Sequence, residues 1–231
     1  MFTNQLCLLC NEEMRQELSW KSVFLKVNEK AVCDTCNDKF EIITGDRCRI
    51  CSRNLAESQD SLCYDCIRWE RDSMWSGCLS SNHSLFIYND FIKEIIAKYK
   101  YRGDYAIAGA FAPYLMQQLA KMDFDYLIPI PLSDERLRER GFNQAKGLAE
   151  MAGYSCEEYL KRTHSEKQSK KTRDERINLA QVFQVLSDKE ILGKHFLLID
   201  DIYTTGSTLR QAARVLRLEG ADDVKSITLV R

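Results

Sequence analysis

Eight of the ten cysteines lie in the first third of the chain, and each of these eight belongs to a CxxC pair. Two thiolates separated by two residues can bind one Zn²⁺ ion across a tight turn, and two such pairs complete a tetrahedral site. The pattern therefore predicts two structural zinc sites, because about 60 residues with few large apolar side chains need such cross-links to fold. The pairs are Cys7/Cys10, Cys33/Cys36, Cys48/Cys51 and Cys63/Cys66.

The simplest grouping of these pairs is sequential, with the first two pairs around one ion and the last two around another. A cross-braced grouping satisfies the same ligand rules. Disulfides would require an oxidising compartment, and a redox CxxC normally occurs once, near a βαβ unit. The two remaining cysteines, Cys78 and Cys156, are interpreted as plain buried thiols.

The second segment whose residues could bind a ligand or act in catalysis covers residues 196–208 and has the sequence FLLIDDIYTTGST. A buried strand ends in Asp200 and Asp201, whose carboxylates can accept hydrogen bonds from ribose hydroxyls. The turn after them supplies hydroxyls and backbone N–H groups at a helix start, which suits a phosphate. The order differs from the P-loop and GxGxxG patterns. We assign Asp200 and Asp201 as the catalytic pair, and the predicted phosphate-binding residues are Thr204, Thr205, Gly206, Ser207 and Thr208.

Two further basic segments could complete an anion site. Residues 131–144 follow a predicted strand and carry three arginines before Gly141, and residues 162–176 are polar and basic. A guanidinium fork matches the paired oxygens of a diphosphate. The same composition also fits a solvated charged helix in the first segment and a mobile surface loop in the second.

Lysine or arginine alternates with tyrosine over residues 98–102. Positive charge beside aromatic rings suits the backbone and stacked bases of single-stranded nucleic acid. The predicted contacts are Lys98, Lys100, Arg102, Lys170 and Lys171. Alternatively, Tyr99 and Tyr101 pack in the core and the lysines are only solvated. The net charge of −1 implies that any such affinity is modest and salt-dependent.

Strands alternate with amphipathic helices from about residue 85 onward, which predicts an α/β fold with a mainly parallel sheet flanked by helices. Ligands of such sheets bind at the carboxyl ends of the strands. We divide the chain into a cysteine-rich zinc-ribbon module (1–68), a connector (69–84) and the α/β domain (85–231), and expect a separate core in each folded part. Strands are predicted at 85–88, 126–130, 159–162, 195–199 and 224–230, and helices at 91–99, 105–121, 142–151 and 207–218.

The overall composition, with 45% apolar and 29% charged residues, is ordinary for a soluble globular protein. The first ten residues lack the basic start and apolar core of a signal peptide. No run approaches the roughly 18 apolar residues of a membrane span. We therefore expect a cytoplasmic protein without a transmembrane segment, in which thiols stay reduced and available to metals.

Together these motifs resemble the ComF family, in which a double zinc ribbon precedes a type I phosphoribosyltransferase domain. The resemblance covers nearly all 231 residues and includes YKYRGD (99–104), PIPL (129–132), RERGFNQ (138–144), RIN (176–178) and DDIYTTGST (200–208). It implies that the last motif binds phosphoribosyl diphosphate with Mg²⁺, and that residues 162–176 close over this ligand. It also implies that the diphosphate is cradled by Leu132, Ser133, Arg140 and Gly141.

The resemblance further implies a role in natural transformation. Such a protein would handle single-stranded DNA in the cytoplasm and be linked to a helicase-like DNA translocase. Whether the domain transfers a phosphoribosyl group stays open at this point. The alternatives are an active phosphoribosyltransferase of nucleotide salvage or synthesis, and a non-catalytic regulator that senses phosphoribosyl diphosphate.

Overall fold

The computed structural model describes residues 5–14, 30–55, 61–163, 182–186 and 189–231. Its strands are β1 (Gln5–Leu6), β2 (Glu13–Met14), β3 (Ser81–Phe86), β4 (Tyr126–Pro129), β5 (Leu160–Arg162), β6 (Phe183–Val185), β7 (His195–Ile202) and β8 (Asp223–Val230). Its helices are α1 (Asp34–Asn37), α2 (Tyr64–Arg71), α3 (Asp90–Tyr101), α4 (Ala108–Leu119), α5 (Asp134–Arg140), α6 (Gln144–Met151) and α7 (Ser207–Leu218).

A four-stranded parallel sheet with the order β3–β8–β7–β4 forms the centre of the structure. Helices connect these strands and cover the sheet, which confirms the predicted α/β fold. Two short antiparallel pairs, β1–β2 and β5–β6, lie outside the sheet. Among the described residues, no helix combines the length and apolar character that crossing a bilayer requires.

Two local signals in the sequence mark the starts of the helices α3 and α7, which border the site. The side chain of Asn89 caps α3 by accepting a hydrogen bond from the backbone N–H of Ile92 at 2.9 Å. Helix α7 has the predicted bounds and follows Gly206, whose φ of 78° few other residues tolerate. Helix α4 continues through Pro113, after a 3₁₀ turn over Tyr105–Ile107.

Strand β3 begins at Ser81, four residues before the predicted start. The missed residues are polar, so hydrophobic patterning does not mark them as a buried strand. Their polar groups are paired with the neighbouring strand: the hydroxyls of Ser84 and Thr228 are 2.8 Å apart, and Ser226 Oγ donates to Asn82 Oδ1 at 2.8 Å. These hydrogen bonds allow Asn82 and Ser84 to be buried in the first part of β3.

The cysteine-rich part and the α/β part share their cores, so the expectation of separate cores is wrong. Alternate residues of β7 face opposite sides of the sheet. On one side, Leu197 packs in a core that includes Cys7, Cys36, Phe40 and Phe86. On the other side, Leu198 packs in a core that includes helix α7 residues and the last four paired cysteines, Cys48, Cys51, Cys63 and Cys66. The cause is the small size of the cysteine-rich part, which completes its burial against the sheet.

Candidate ligand site and cysteine clusters

A cleft of about 260 Å³ lies at the carboxyl ends of β4 and β7. Strand β4 leads into residues 130–132 on one side, and β7 ends in the two predicted carboxylates on the other. The charged side chains that line the cleft are Lys100, Arg136, Arg140, Arg162, Asp200 and Asp201. Cations outnumber carboxylates in this lining, so the cleft attracts anions although the whole chain is nearly neutral.

The two carboxylates have different surroundings. Asp201 is buried, with only 6% of its surface exposed. Its Oδ2 lies 2.8 Å from Lys100 Nζ, and this ion pair explains how the charge is buried. Asp200 is partly exposed, and its Oδ1 accepts a hydrogen bond from the backbone N–H of Asp201 at 2.9 Å. Burial, together with the charge of Asp201, raises the pKa of Asp200 to about 7.

Lys100, which was predicted to contact nucleic acid, lines this cleft and pairs with Asp201. Helix α3 extends through residues 98–101, so alternate residues do not share a face. Tyr99 is fully buried and its hydroxyl donates to the Gln144 carbonyl oxygen at 2.8 Å, whereas Tyr101 is 74% exposed. Lys98 is half-buried and Arg102 is exposed at the end of the helix. Lys170 and Lys171 lie outside the described residues.

The predicted phosphate loop joins β7 to α7. Thr204 and Thr205 are exposed, Ser207 and Thr208 are half-buried, and Thr208 lines the cleft. A Cβ at Gly206 would lie 2.1 Å from the Tyr203 hydroxyl, so only glycine fits this turn. The N–H of Ser207 donates to Thr205 Oγ1 at 3.3 Å, and Thr208 lines the cleft together with both carboxylates. A helix start beside carboxylates suits a phosphate attached to a sugar.

The basic segment after β4 forms α5, none of whose residues is buried. The segment was interpreted either as part of an anion site or as a solvated charged helix. It is a solvated helix, and two of its arginines line the cleft. Leu132 also lines the cleft, but the hydroxyl of Ser133 accepts a hydrogen bond from the Arg136 N–H and caps α5. Gly141 ends α5 with a φ of 79° and is not part of the lining.

Four polar or charged residues that were not individually assigned to the site from the sequence also line the cleft: Arg136, Arg162, Asn143 and Gln144. Asn143 caps α6 and its Nδ2 donates to the Ile130 carbonyl oxygen at 3.0 Å, so it joins the two sides of this loop. Gln144 Oε1 accepts from Arg140 Nη1 at 3.0 Å and orients that guanidinium. The RERGFNQ motif contained the signal for Asn143 and Gln144, because amides inside an arginine-rich turn suit orienting roles.

The eight paired cysteines form two clusters. The first comprises Cys7, Cys10, Cys33 and Cys36, and the second comprises Cys48, Cys51, Cys63 and Cys66. Within each cluster the sulfur atoms lie within 4.8 Å of one another, which confirms the sequential grouping. Cys78 and Cys156 lie outside both clusters, and Cys78 is buried as predicted, whereas Cys156 is only partly buried.

The donor chemistry of both clusters fits zinc. The sulfurs of Cys10 and Cys33 are 3.7 Å apart and those of Cys51 and Cys63 are 3.5 Å apart, close to the roughly 3.8 Å edge of a tetrahedron with 2.3 Å Zn–S bonds. The N–H of Cys33 donates to Cys7 Sγ, and the N–H of Cys63 donates to Cys48 Sγ, both at 3.3 Å. Both clusters can therefore hold a tetrahedral Zn²⁺ ion. All cysteines of the second cluster are buried, whereas Cys10 of the first is exposed.

Known proteins share both parts of this chain. Residues 140–231 match the family model for the phosphoribosyl transferase domain, which includes the phosphate loop and both carboxylates. The chain is 40% identical over 230 residues to competence protein ComFC of Bacillus subtilis, and the match covers 98% of this chain and 95% of that protein. It is 35% identical over 226 residues to ComFC of Streptococcus pneumoniae, with 97% and 99% covered. DNA utilization protein YhgH of Salmonella typhi is 26% identical over 220 residues, with 80% and 96% covered.

Proposed function

Because the chain belongs to the ComF family of competence proteins, we propose that it serves DNA uptake in natural transformation by binding phosphoribosyl diphosphate in the cleft at the carboxyl end of the sheet. One observation carries this proposal. The cleft is lined by both carboxylates, by several arginines and by Thr208 of the predicted phosphate loop, and these groups match the sugar, the diphosphate and the phosphate of that ligand. We place the protein in the cytoplasm, where this metabolite would be available.

Each part of the ligand has matching groups. The 5-phosphate is bound by loop residues 204–208 and the start of α7. The ribose hydroxyls donate to Asp200 and Asp201, and the diphosphate lies against Arg136 and Arg140. When bound, Mg²⁺ neutralises diphosphate charge, and the two carboxylates are the residues of this cleft that would hold it together with phosphate oxygens.

Calorimetry with phosphoribosyl diphosphate and Mg²⁺ tests the proposal. Replacing both Asp200 and Asp201 with Asn should reduce affinity by at least about 100-fold, because two hydrogen bonds to charged acceptors are weakened. Asp123→Asn is the matched control, since Asp123 is an exposed carboxylate outside the cleft lining. Equal affinity in the double variant and the control would refute the site.

The same preparation separates the candidate biochemical roles. A transferase releases diphosphate when a nucleobase or amine acceptor is supplied, whereas a sensing protein binds the ligand without turnover. In the transferase case the carboxylates would act at the sugar from which the diphosphate departs. A diphosphate-release assay over these acceptor classes, with the Asp200→Asn/Asp201→Asn variant as the control, distinguishes the two roles.

We also propose direct contact with single-stranded DNA at the end of α3. Tyr101 is exposed and its ring lies 5.8 Å from the guanidinium carbon of Arg140, with Arg102 beside it on the surface. An aromatic ring among cations suits stacked bases and phosphates. Anisotropy with a labelled oligonucleotide at two salt concentrations should show salt-dependent binding that Tyr101→Ala weakens. Tyr64→Ala, which removes another exposed tyrosine beside an arginine, is the control. Absence of binding at low salt would instead place the DNA role with a partner such as a helicase-like translocase.

A further inference from the structure

Arg210 is an unusual residue in the core behind the phosphate loop. Its side chain is fully buried, and a buried charge is costly unless it is paired. Arg210 Nη1 lies 2.9 Å from Glu70 Oε1, and its guanidinium carbon lies 5.2 Å from the centre of the Trp69 ring. Arg210 Nη2 lies 3.9 Å from Cys66 Sγ. All these contacts come from α2, which begins immediately after Cys63 of the second cysteine cluster.

A zinc-loaded second cluster explains the cations around it. Four thiolates around one Zn²⁺ carry a formal charge of about −2. Besides Arg210, the guanidinium of Arg231 lies nearby, 4.6 Å over the Tyr203 ring. Arg210 Nε, and Arg231 Nε and Nη1, are buried without a hydrogen-bond partner within the described ranges. Both cations therefore favour a charged thiolate cluster beside them.

Tyr203 connects this region to the phosphate loop. Its ring is buried, its hydroxyl has no hydrogen-bond partner among the described residues, and Gly206 packs directly against it. Tyr203 packs in the same core as the four cysteines of the second cluster. The back of the loop thus lies on a buried aromatic ring that packs beside the second cluster.

Helix α2 also contacts the loop backbone. Trp69 Nε1 donates a hydrogen bond to the Thr205 carbonyl oxygen at 3.1 Å. The backbone N–H of Arg210 donates to the Gly206 carbonyl oxygen at 2.9 Å, so the loop ends in the same helical turn that holds the buried guanidinium. The hydroxyls of Thr204 and Thr205 remain at the exposed surface of the loop.

The first cysteine cluster has no comparable position. Cys7 and Cys36 pack in the core on the other side of the sheet. Within the described part of the chain, the hydrogen bonds of its cysteines do not extend to residues 203–208. The chain therefore contains an internal control, because its two clusters share ligand chemistry but differ in their contact with the site.

We propose that the second cysteine cluster, through α2 and Arg210, holds the phosphate loop in its binding conformation, so that ligand affinity depends on zinc in this cluster and not on zinc in the first. Trp69 and Arg210 are positioning residues in this arrangement. The predicted effect on affinity rests on the proposed function, in which phosphoribosyl diphosphate is the ligand. The predicted support of the loop by α2 does not depend on the identity of the ligand.

The first experiment compares Trp69→Phe with Trp75→Phe in the full-length zinc-loaded protein. The phenylalanine side chain keeps a ring but lacks the indole N–H that donates to the Thr205 carbonyl oxygen. Trp75 packs against Trp69 with ring centres 5.4 Å apart, and it lies outside the cleft and loop contacts. Trp69→Phe should weaken phosphoribosyl diphosphate binding about fivefold and speed amide hydrogen exchange across residues 204–208, with zinc content unchanged. Equal exchange and equal affinity in the two variants would overturn the proposal.

The second experiment compares Cys51→Ser in the second cluster with Cys10→Ser in the first. We expect Cys51→Ser to lower zinc content by one ion and reduce affinity at least about tenfold, because the loop loses its support, whereas Cys10→Ser loses one ion with affinity retained. If Cys51→Ser fails to fold, the comparison of Trp69→Phe with Trp75→Phe still tests whether α2 supports the loop. If the zinc-loaded parent protein binds no phosphoribosyl diphosphate, the proposed function fails, and hydrogen exchange of the loop in the tryptophan pair alone tests this inference.

Discussion

Replacing Asp200 with Asn should stabilise the ligand-free protein at alkaline pH while removing ligand affinity. Asp200 has a pKa of about 7 against an ordinary value of 3.8, because it is desolvated and lies beside the charge of Asp201. The folded chain therefore binds a proton more tightly at this position than the unfolded chain. Between about pH 4 and pH 7 stability falls as pH rises, and the whole penalty is present above pH 7.

The magnitude follows from the shift. The shift is about three pKa units, and each unit corresponds to about 1.36 kcal/mol. The charge of Asp200 therefore lowers the unfolding free energy at pH 8 by at most about 4 kcal/mol. Residual solvent exposure of Asp200 reduces this figure by screening. Asn does not ionise, and its Oδ1 can still accept the hydrogen bond that the Asp201 N–H donates at 2.9 Å. The substitution thus removes the charge and little else.

Urea unfolding at pH 5.5 and pH 8 measures this effect. Asp200→Asn should raise the unfolding free energy by roughly 2–4 kcal/mol at pH 8 and by clearly less at pH 5.5. Asp123→Asn should leave it unchanged at both pH values, because that carboxylate is exposed. If the variant gains no stability at pH 8, or gains the same amount at both pH values, the ionised form of Asp200 is not destabilised by its surroundings.

Four further predictions concern the metal and the cleft. Elemental analysis of protein purified without chelator should find two zinc ions per chain, and a ratio near zero would refute this. Cys48→Ser should lower the thermal stability of the whole chain, since the second cluster shares its core with the sheet. Unfolding of the cysteine-rich part alone would contradict that expectation. Thr205→Val should weaken phosphoribosyl diphosphate binding by roughly 10- to 150-fold in calorimetry, because a hydroxyl donor to a charged phosphate is lost, and unchanged affinity would contradict this role. Lys100→Met should lower stability in urea unfolding, because Asp201 would keep a buried charge without its partner at 2.8 Å, and an unaltered midpoint would argue against that ion pair.

The elements whose positions follow from the sequence are those with local signals. The bounds of α7 follow from its amphipathic period and from a glycine turn before Ser207. The early part of β3 was missed because Asn82 and Ser84 are stabilised by Ser226 and Thr228, more than 140 residues away. The shared cores were missed for the same reason: the sequence does not specify which surface buries a CxxC pair.

The site was predicted best where residue order alone defines the chemistry. Asp200 and Asp201 lie near the end of β7 and the turn follows directly, so their proximity needed no tertiary information. Lys100 was assigned to nucleic acid because it alternates with tyrosines, a pattern of period two. The segment is helical, and a period of 3.6 separates Tyr99, in the core, from Tyr101, on the surface. The partner of Lys100 comes from β7, far along the chain.

Arg140 links the two proposed binding functions physically. It lines the cleft where the diphosphate would lie, and its guanidinium also lies beside the exposed ring of Tyr101. Gln144 holds the same guanidinium at 3.0 Å, so it cannot serve two anions in independent orientations. A diphosphate that binds Arg140 bidentately would use the N–H groups that a DNA phosphate near Tyr101 needs. Because the net charge of −1 supplies no general attraction for nucleic acid, the local charge of this cleft decides where a polyanion binds. We therefore predict that phosphoribosyl diphosphate bound in the cleft weakens oligonucleotide binding at the end of α3, and unchanged oligonucleotide affinity in its presence would contradict this coupling.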